Sequence, residues 1–225
     1  MDNKQSEKIL QIINKKQYLV NKSDDIMKIL SSEESQRIIN GAGEFRNRLY
    51  TPLNTIYTFI KQVLSPDKSC NNAVSTVNAE RLVNNKVAVG TSTGSYVKAR
   101  TGIAEETIYE LVKTVGNGTL KKALPEWQPY GRDLKVFDGT TITLPDTPPN
   151  NKMYPKHCNK KNKTVGFPQV RLVAVLSLVT GGVVDYALDA CKGKGTGEIS
   201  LLRSIFTCIK EHDIVVGDRL FCNFF

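Results

Sequence analysis

Residues 170–188 read VRLVAVLSLVTGGVVDYAL, two β-branched apolar runs joined by Gly181-Gly182. A glycine pair between such runs signals a hairpin, so Val170–Val179 and Val183–Leu188 are expected to form antiparallel strands. Upstream, residues 134–144, LKVFDGTTITL, make another strand candidate. Downstream, beyond Lys192-Gly193-Lys194-Gly195, Thr196 is expected to cap a helix whose Ile199, Leu202, Ile205, Phe206 and Ile209 share one face. Ile214-Val215-Val216 then reads as a short buried strand. The order is strand, hairpin, helix, strand. A helix between strands implies a parallel crossover, so this part reads as an α/β sheet with an antiparallel edge.

The texture changes near Pro125–Arg132, and before it the apolar spacing is helical. Glu7–Lys16 carries Ile9, Leu10, Ile12 and Ile13, an amphipathic pattern, and Asp24–Asn40 gives one or two more helices. The clearest helix starts with Thr51 as N-cap and Pro52 at N1, where the missing N–H costs nothing, and stops at Ser65-Pro66-Asp67. Another begins at Ser69. Val89–Ser95, rich in Gly, Ser and Thr, reads as a loop, followed by helical spacing at Tyr96–Arg100 and Ala104–Val115. That last pair fits a helix-turn-helix and, equally, any αα-hairpin. The domain reading is a helical part over 1–125 and a sheet part over 133–225.

The chain has 225 residues, 40% of them hydrophobic, enough for a packed core. Thirty-one Lys and Arg against 22 Asp and Glu leave a net charge of +9, which favours a polyanionic partner such as nucleic acid. No run approaches the ~20 apolar residues of a membrane span, and the charged N-terminus has no signal-peptide core. Five scattered cysteines with no CxxC pair read as reduced thiols in a cytoplasmic protein, and His157-Cys158 lacks the second pair that a zinc site needs. Neither repeats nor low-complexity segments are visible.

Asp138, inside the first strand, and Asp218, at the end of the last, are the acids whose positions suggest chemistry. Sites in open α/β sheets form outside the carboxyl ends of strands, and two close carboxylates call for a cation such as Mg²⁺ between them. Paired ions of this kind drive phosphodiester chemistry. Structural roles compete. Asp138-Gly139 is also a hairpin-turn signal, and Asp218 also fits a helix cap. Asp146, Asp185, Asp189 and Glu198 have comparable claims to turn, strand or first-turn positions, and spacing does not select among them. Lys152, Lys156, Lys160, Lys161 and Lys163, with His157, lie in a segment free of acids from Asn150 to Asp185, which suits phosphate contact or a solvated loop. Lys192-Gly193-Lys194-Gly195-Thr196-Gly197 lacks the P-loop arrangement, although the helix start behind it suits a DNA phosphate. The two histidines, His157 and His212, sit in no nucleophile frame.

On these residues the chain resembles the DDE transposases of bacterial insertion sequences, in the branch called insertion-sequence family four. LYTPLNTIYTFIKQVLSPDKSCNNAV and TGSYVKARTGIAEETIYELV are similar to that family's helical N-terminal domain. VFDGTTITLPDTPPNNKMYP is similar to the segment holding its first catalytic acid. GFPQVRLVAVLSLVTGGVVDYALDACKGKGTGEISLLRSI and VVGDRLFCNFF resemble the stretch leading to the second. The resemblance implies a ribonuclease-H-like catalytic domain in which Asp138 and Asp218 bind Mg²⁺ or Mn²⁺. The implied reaction is DNA cleavage and strand transfer at the terminal inverted repeats of the parent element. DNA contacts are then expected from Arg100, Lys152, Lys156, Lys160, Lys161, Lys163, Lys192, Lys194 and Arg219.

Two departures matter. Arg219 is followed by Leu220 and Phe221 rather than the family's usual Gly-Tyr. The family's third acid, a Glu on a later helix, lies beyond Phe225, and Glu198 precedes the second Asp. The expectation is therefore a C-terminally truncated transposase with an incomplete ribonuclease-H-like mixed sheet, holding metal weakly and inactive or nearly so. A non-catalytic fragment that binds DNA or full-length transposase and inhibits it is the alternative. A third is a chain whose uncovered sheet edge prevents stable folding.

Overall fold

The computed structural model describes residues 26–41, 48–158 and 164–221. The helix expected at Glu7–Lys16 lies outside them, as do Lys160, Lys161 and Lys163. The chain divides into two compact units, Met1–Leu111 and Val112–Phe225.

The first unit is helical. After a helical segment at 26–30 come α1 (Glu33–Asn40), α2 (Pro52–Leu64), α3 (Cys70–Val83), α4 (Gly94–Thr101) and the start of α5 (Glu105–Leu120). Ser32, Thr51 and Ser69 cap α1, α2 and α3, their hydroxyl oxygens accepting from the N–H groups of Ser35, Asn54 and Asn72. Each cap satisfies a backbone donor that the helix itself leaves open. Pro66 disfavours helical backbone at Ser65, and α2 stops at Leu64. Ala73, Val74 and Tyr96 form the buried centre, with Tyr50 and Cys70 packed against them. The Tyr96 hydroxyl donates to Gln62 Oε1 at 2.6 Å, and Gln62 Nε2 donates to the Lys68 carbonyl at 2.7 Å.

The second unit is a mixed α+β layer. Two 3₁₀ turns, Pro125–Trp127 and Pro129–Gly131, lead into β1 (Leu134–Thr143), followed by α6 (Pro148–Met153), the short pair β2 (His157–Cys158) and β3 (Thr164–Val165), β4 (Gln169–Ser177), β5 (Val183–Ala190), α7 (Glu198–Ser204) and β6 (Ile214–Gly217). The four-stranded sheet runs β5-β4-β1-β6. β4 runs antiparallel to both of its neighbours, β1 and β5, and β6 pairs with β1 in parallel. The expected hairpin turns at Gly181, whose φ of 70° suits a residue without Cβ. The sheet is more antiparallel than the α/β reading anticipated, because the crossover through α7 supplies only one parallel neighbour.

Phe137, Val173, Val175, Val184, Leu201, Leu202, Ile205 and Phe221 make the core between the sheet and α7. Lys135 shares the side of β1 occupied by Phe137, and its side chain is 1% exposed. Its ammonium donates to Asp213 Oδ2 at 2.6 Å and to the Cys208 carbonyl at 2.9 Å.

Several local expectations change. Gly197, not Thr196, is the N-cap of α7, and the Thr196 hydroxyl donates to the Gly193 carbonyl instead. α7 has seven residues, and a 3₁₀ turn at Phe206–Cys208 replaces its expected last turn. His212 follows in a left-handed turn (φ 73°). β6 is not buried: Val215 and Val216 are 37% and 48% exposed. No described helix is long and apolar enough to cross a membrane.

Candidate acidic site and basic residues

The hairpin alternative for Asp138-Gly139 fails, since β1 runs unbroken through both residues, opposite Ala174 and Val173. The glycine has a different reason. An added Cβ at Gly139 would stand 2.7 Å from Glu198 Cδ and 2.8 Å from Cγ, so the Glu198 side chain occupies that space. Glycine inside a strand marks such a close approach.

β6 pairs with β1 in the register Leu134–Ile214 through Phe137–Gly217. Asp138 and Asp218 are the residues that follow this last pair, Asp218 directly after the carboxyl end of β6. A Cβ on Gly217 would collide with the Phe137 ring, so the strand end closes tightly there. The 3₁₀ turn Arg219–Phe221 returns the chain: the Phe221 N–H donates to the Asp218 carbonyl at 2.9 Å, and the Phe221 and Phe137 rings meet edge to face at 4.9 Å. Asp138 and Asp218 are both exposed. Asp138 Oδ1 accepts from the Gly139 N–H at 2.8 Å, which restrains its carboxylate. Exposed carboxylate oxygens are hard donors of the kind that suit Mg²⁺ or Mn²⁺. Among the described residues no group of three or more His, Cys, Asp or Glu side chains is arranged to hold a metal ion.

The rival acids have structural engagements. Glu198 lies on the α7 side of the sheet, 3.8 Å from Arg171 Nε, while Arg171 Nη1 donates to the Thr196 carbonyl at 2.7 Å and ties down the 192–197 loop. Successive strand residues face opposite ways, so Glu198, over Gly139, and Asp138 use different faces. Asp185 is buried and 3.6 Å from the Lys113 ammonium. Asp189 Oδ1 accepts from the Ala190 N–H at 2.7 Å. Asp146 accepts from Lys156 Nζ at 2.6 Å and Asn151 Nδ2 at 2.7 Å, and these two bonds hold its carboxyl below the usual range.

Among the basic candidates, Lys152, Lys194 and Arg219 are exposed, and Arg219 directly follows Asp218. Lys156 and Lys192 line an open cavity of about 370 Å³ with Asn151, Pro155 and Cys158. Lys192 Nζ stands 3.5 Å from Cys158 Sγ. Arg100 belongs to the helical unit and is engaged within it: its guanidinium lies over the Phe59 and Tyr96 rings at 5.1 and 5.7 Å and donates to Gln62 Oε1 at 3.2 Å. Glu105 and Glu106 open α5 on exposed positions. Two acids there repel phosphates, which weighs against α5 as a groove-reading helix.

No protein-family model, no curated protein and no solved structure matches the chain. Reading by residue type missed the pairs Lys135–Asp213 and Arg171–Glu198. Gly139 in mid-strand was the one signal of a side chain crossing the sheet there. Nothing along the chain marks Asp213 as the partner of a lysine 78 residues away.

Proposed function

We propose that the chain is part of a DDE-type DNA transposase whose Asp138 and Asp218 hold a divalent cation for phosphodiester cleavage and strand transfer. The register of β6 on β1, whose last pair, Phe137–Gly217, immediately precedes these two acids, carries the reading. The mixed sheet, with its antiparallel β1-β4-β5 and parallel β6, supports the ribonuclease-H-like arrangement that goes with it. Bound Mg²⁺ would activate an attacking oxygen and stabilise the leaving one. Asp138 and Asp218 would supply its protein oxygens, and Arg219 with the lysines around the 370 Å³ cavity would take DNA phosphates. Two carboxylates make a weak metal site, so strong catalysis would need a further acid.

The non-catalytic reading, a DNA-binding or transposase-inhibiting fragment, is favoured by charge. The sheet unit has 16 basic against 10 acidic residues, a surplus of 6, while the helical unit has 15 against 12, a surplus of 3. Phosphate contacts would then concentrate on the sheet unit. One experiment separates the two. In Mn²⁺ titrations of the full chain, Asp138→Asn and Asp218→Asn are each expected to weaken binding by ~10-fold or more, while affinity for duplex DNA without metal stays within twofold. Equal Mn²⁺ affinity in all three proteins overturns the metal site and leaves the DNA-binding reading.

A further inference from the structure

We infer that Lys135 and Asp213 are positioning residues that set the register of β6 on β1 and thereby bring Asp218 beside Asp138. A strand's register is ordinarily specified by the alternation of a buried and a solvated face. β6 lacks that specification. Its sequence is Ile-Val-Val-Gly, without alternation, and both central valines are more than a third exposed. It has four residues and one neighbouring strand. A slip along β1 would therefore change little apolar burial within β6 itself, yet any slip shifts Asp218 relative to Asp138.

Two contacts bracket the strand and oppose such a slip. At its entry the Lys135 ammonium, 1% exposed, meets the Asp213 carboxylate at 2.6 Å, and the same Oδ2 accepts from the Lys210 N–H at 2.7 Å. At its exit Gly217 lies against the Phe137 ring, where any side chain would collide. A slipped strand would strand a buried ammonium without its carboxylate and press Val216 or Asp218 onto that ring. Burying a charge without its partner is among the costlier changes in a protein interior, and fixing register is the best-attested use of a buried polar pair.

The consequence for metal rests on the proposed role of Asp138 and Asp218; the register itself does not, which keeps the two failures apart. The test replaces the pair by apolar side chains, Lys135→Met with Asp213→Leu, a change that tends to leave stability level or raised. Cross-strand nuclear Overhauser effects report register directly. The native chain is expected to link Val136 to Val216 and Phe137 to Gly217, and the double variant to add a second set linking Val136 to residues other than Val216. Mn²⁺ affinity is expected to fall ~10-fold at an unchanged melting temperature, a split that a merely structural pair would not produce. A single native set in the double variant overturns the inference whatever the metal does. Should that chain fail to fold, Asp213→Asn removes the charge at nearly constant shape. The slipped set is expected there too, and a single native set again overturns it.

Discussion

The helical unit and the sheet unit are held by interactions of different range. Thr51, Ser69 and Ser32 each settle a helix start through a bond to a residue three positions away. In the sheet unit, by contrast, Lys135 finds Asp213 across 78 residues and Asn117 donates to the Val184 carbonyl across 67. Local rules govern the first set of contacts, and the second exists only once the sheet has assembled.

α5 offers the sharpest way to break that contrast, because its last turns hold two glycines in different surroundings. An added Cβ at Gly118 meets nothing within 4 Å, whereas at Gly116 it would overlap the Val183 carbonyl oxygen of β5. Local propensity favours alanine over glycine in a helix by ~1 kcal/mol at either place. Tertiary contact opposes it at Gly116 alone, where the obstacle is backbone and does not swing aside. Gly116→Ala is therefore expected to destabilise by ~1–3 kcal/mol, and Gly118→Ala to stabilise by up to ~1 kcal/mol. Urea unfolding of both variants checks the pair. Two changes of the same sign would show that the close approach of α5 to β5 does not govern this helix.

The same contrast explains what the chain reveals when read as a string. Caps, Pro52, Ser65-Pro66 and Gly181-Gly182 act within a few residues, so the ends of α2 and the turn between β4 and β5 were legible. The run 134–144 was legible as a strand for the same reason, although Asp138-Gly139 also fitted a turn. What decided between them was the pairing of β1 with β4, opposite Ala174 and Val173, while the glycine itself answers to Glu198, 59 positions along the chain, whose side chain fills the space over it. The start of α7 was misplaced by one residue because Thr196 turns back to Gly193 rather than forward into the helix. The exposure of β6 escaped because three consecutive apolar residues look buried whatever covers them. The proposed acidic pair needed both kinds of information: residue type named the candidates, and strand pairing set Phe137 against Gly217, the residues just before Asp138 and Asp218.

Removing a cap probes the short-range half. Thr51→Ala deletes the hydroxyl oxygen that accepts from the Asn54 N–H at 3.3 Å and is expected to cost the helical unit ~1 kcal/mol, with Thr51→Ser close to neutral. Faster amide exchange confined to the first turn of α2 is the expected signature. Exchange that rises evenly through the whole unit would mean that Thr51 acts through packing and not as a cap.

The smallest effect concerns Cys208, at the end of the 3₁₀ turn behind α7. Burial, followed by the Asp185 carboxylate, pushes its thiol up to about 11, with Lys135 pulling the other way. A thiol whose proton is held more tightly in the folded chain stabilises that chain in full below its ordinary value, and the contribution disappears as pH rises through the folded value. The window therefore runs from about pH 9 to about pH 11. Because the thiol is only partly buried, the loss is discounted to the order of 1 kcal/mol. Tyrosines and lysines titrate over the same range, so the quantity to measure is the stability difference between the native chain and Cys208→Ala against pH. That difference is expected to shrink above pH 9 and stay flat below it. Thiol chemistry gives the independent check: at pH 8 a thiol reagent should modify the exposed Cys158 well before Cys208, since the thiolate is the nucleophile and burial withholds it. Equal rates at the two positions would mean that the turn opens faster than the reagent attacks. The Lys135–Asp213 contact next to it would then be a fluctuating one, and the contrast between a locally set helical unit and a sheet unit fixed at long range would fail at a buried ion pair.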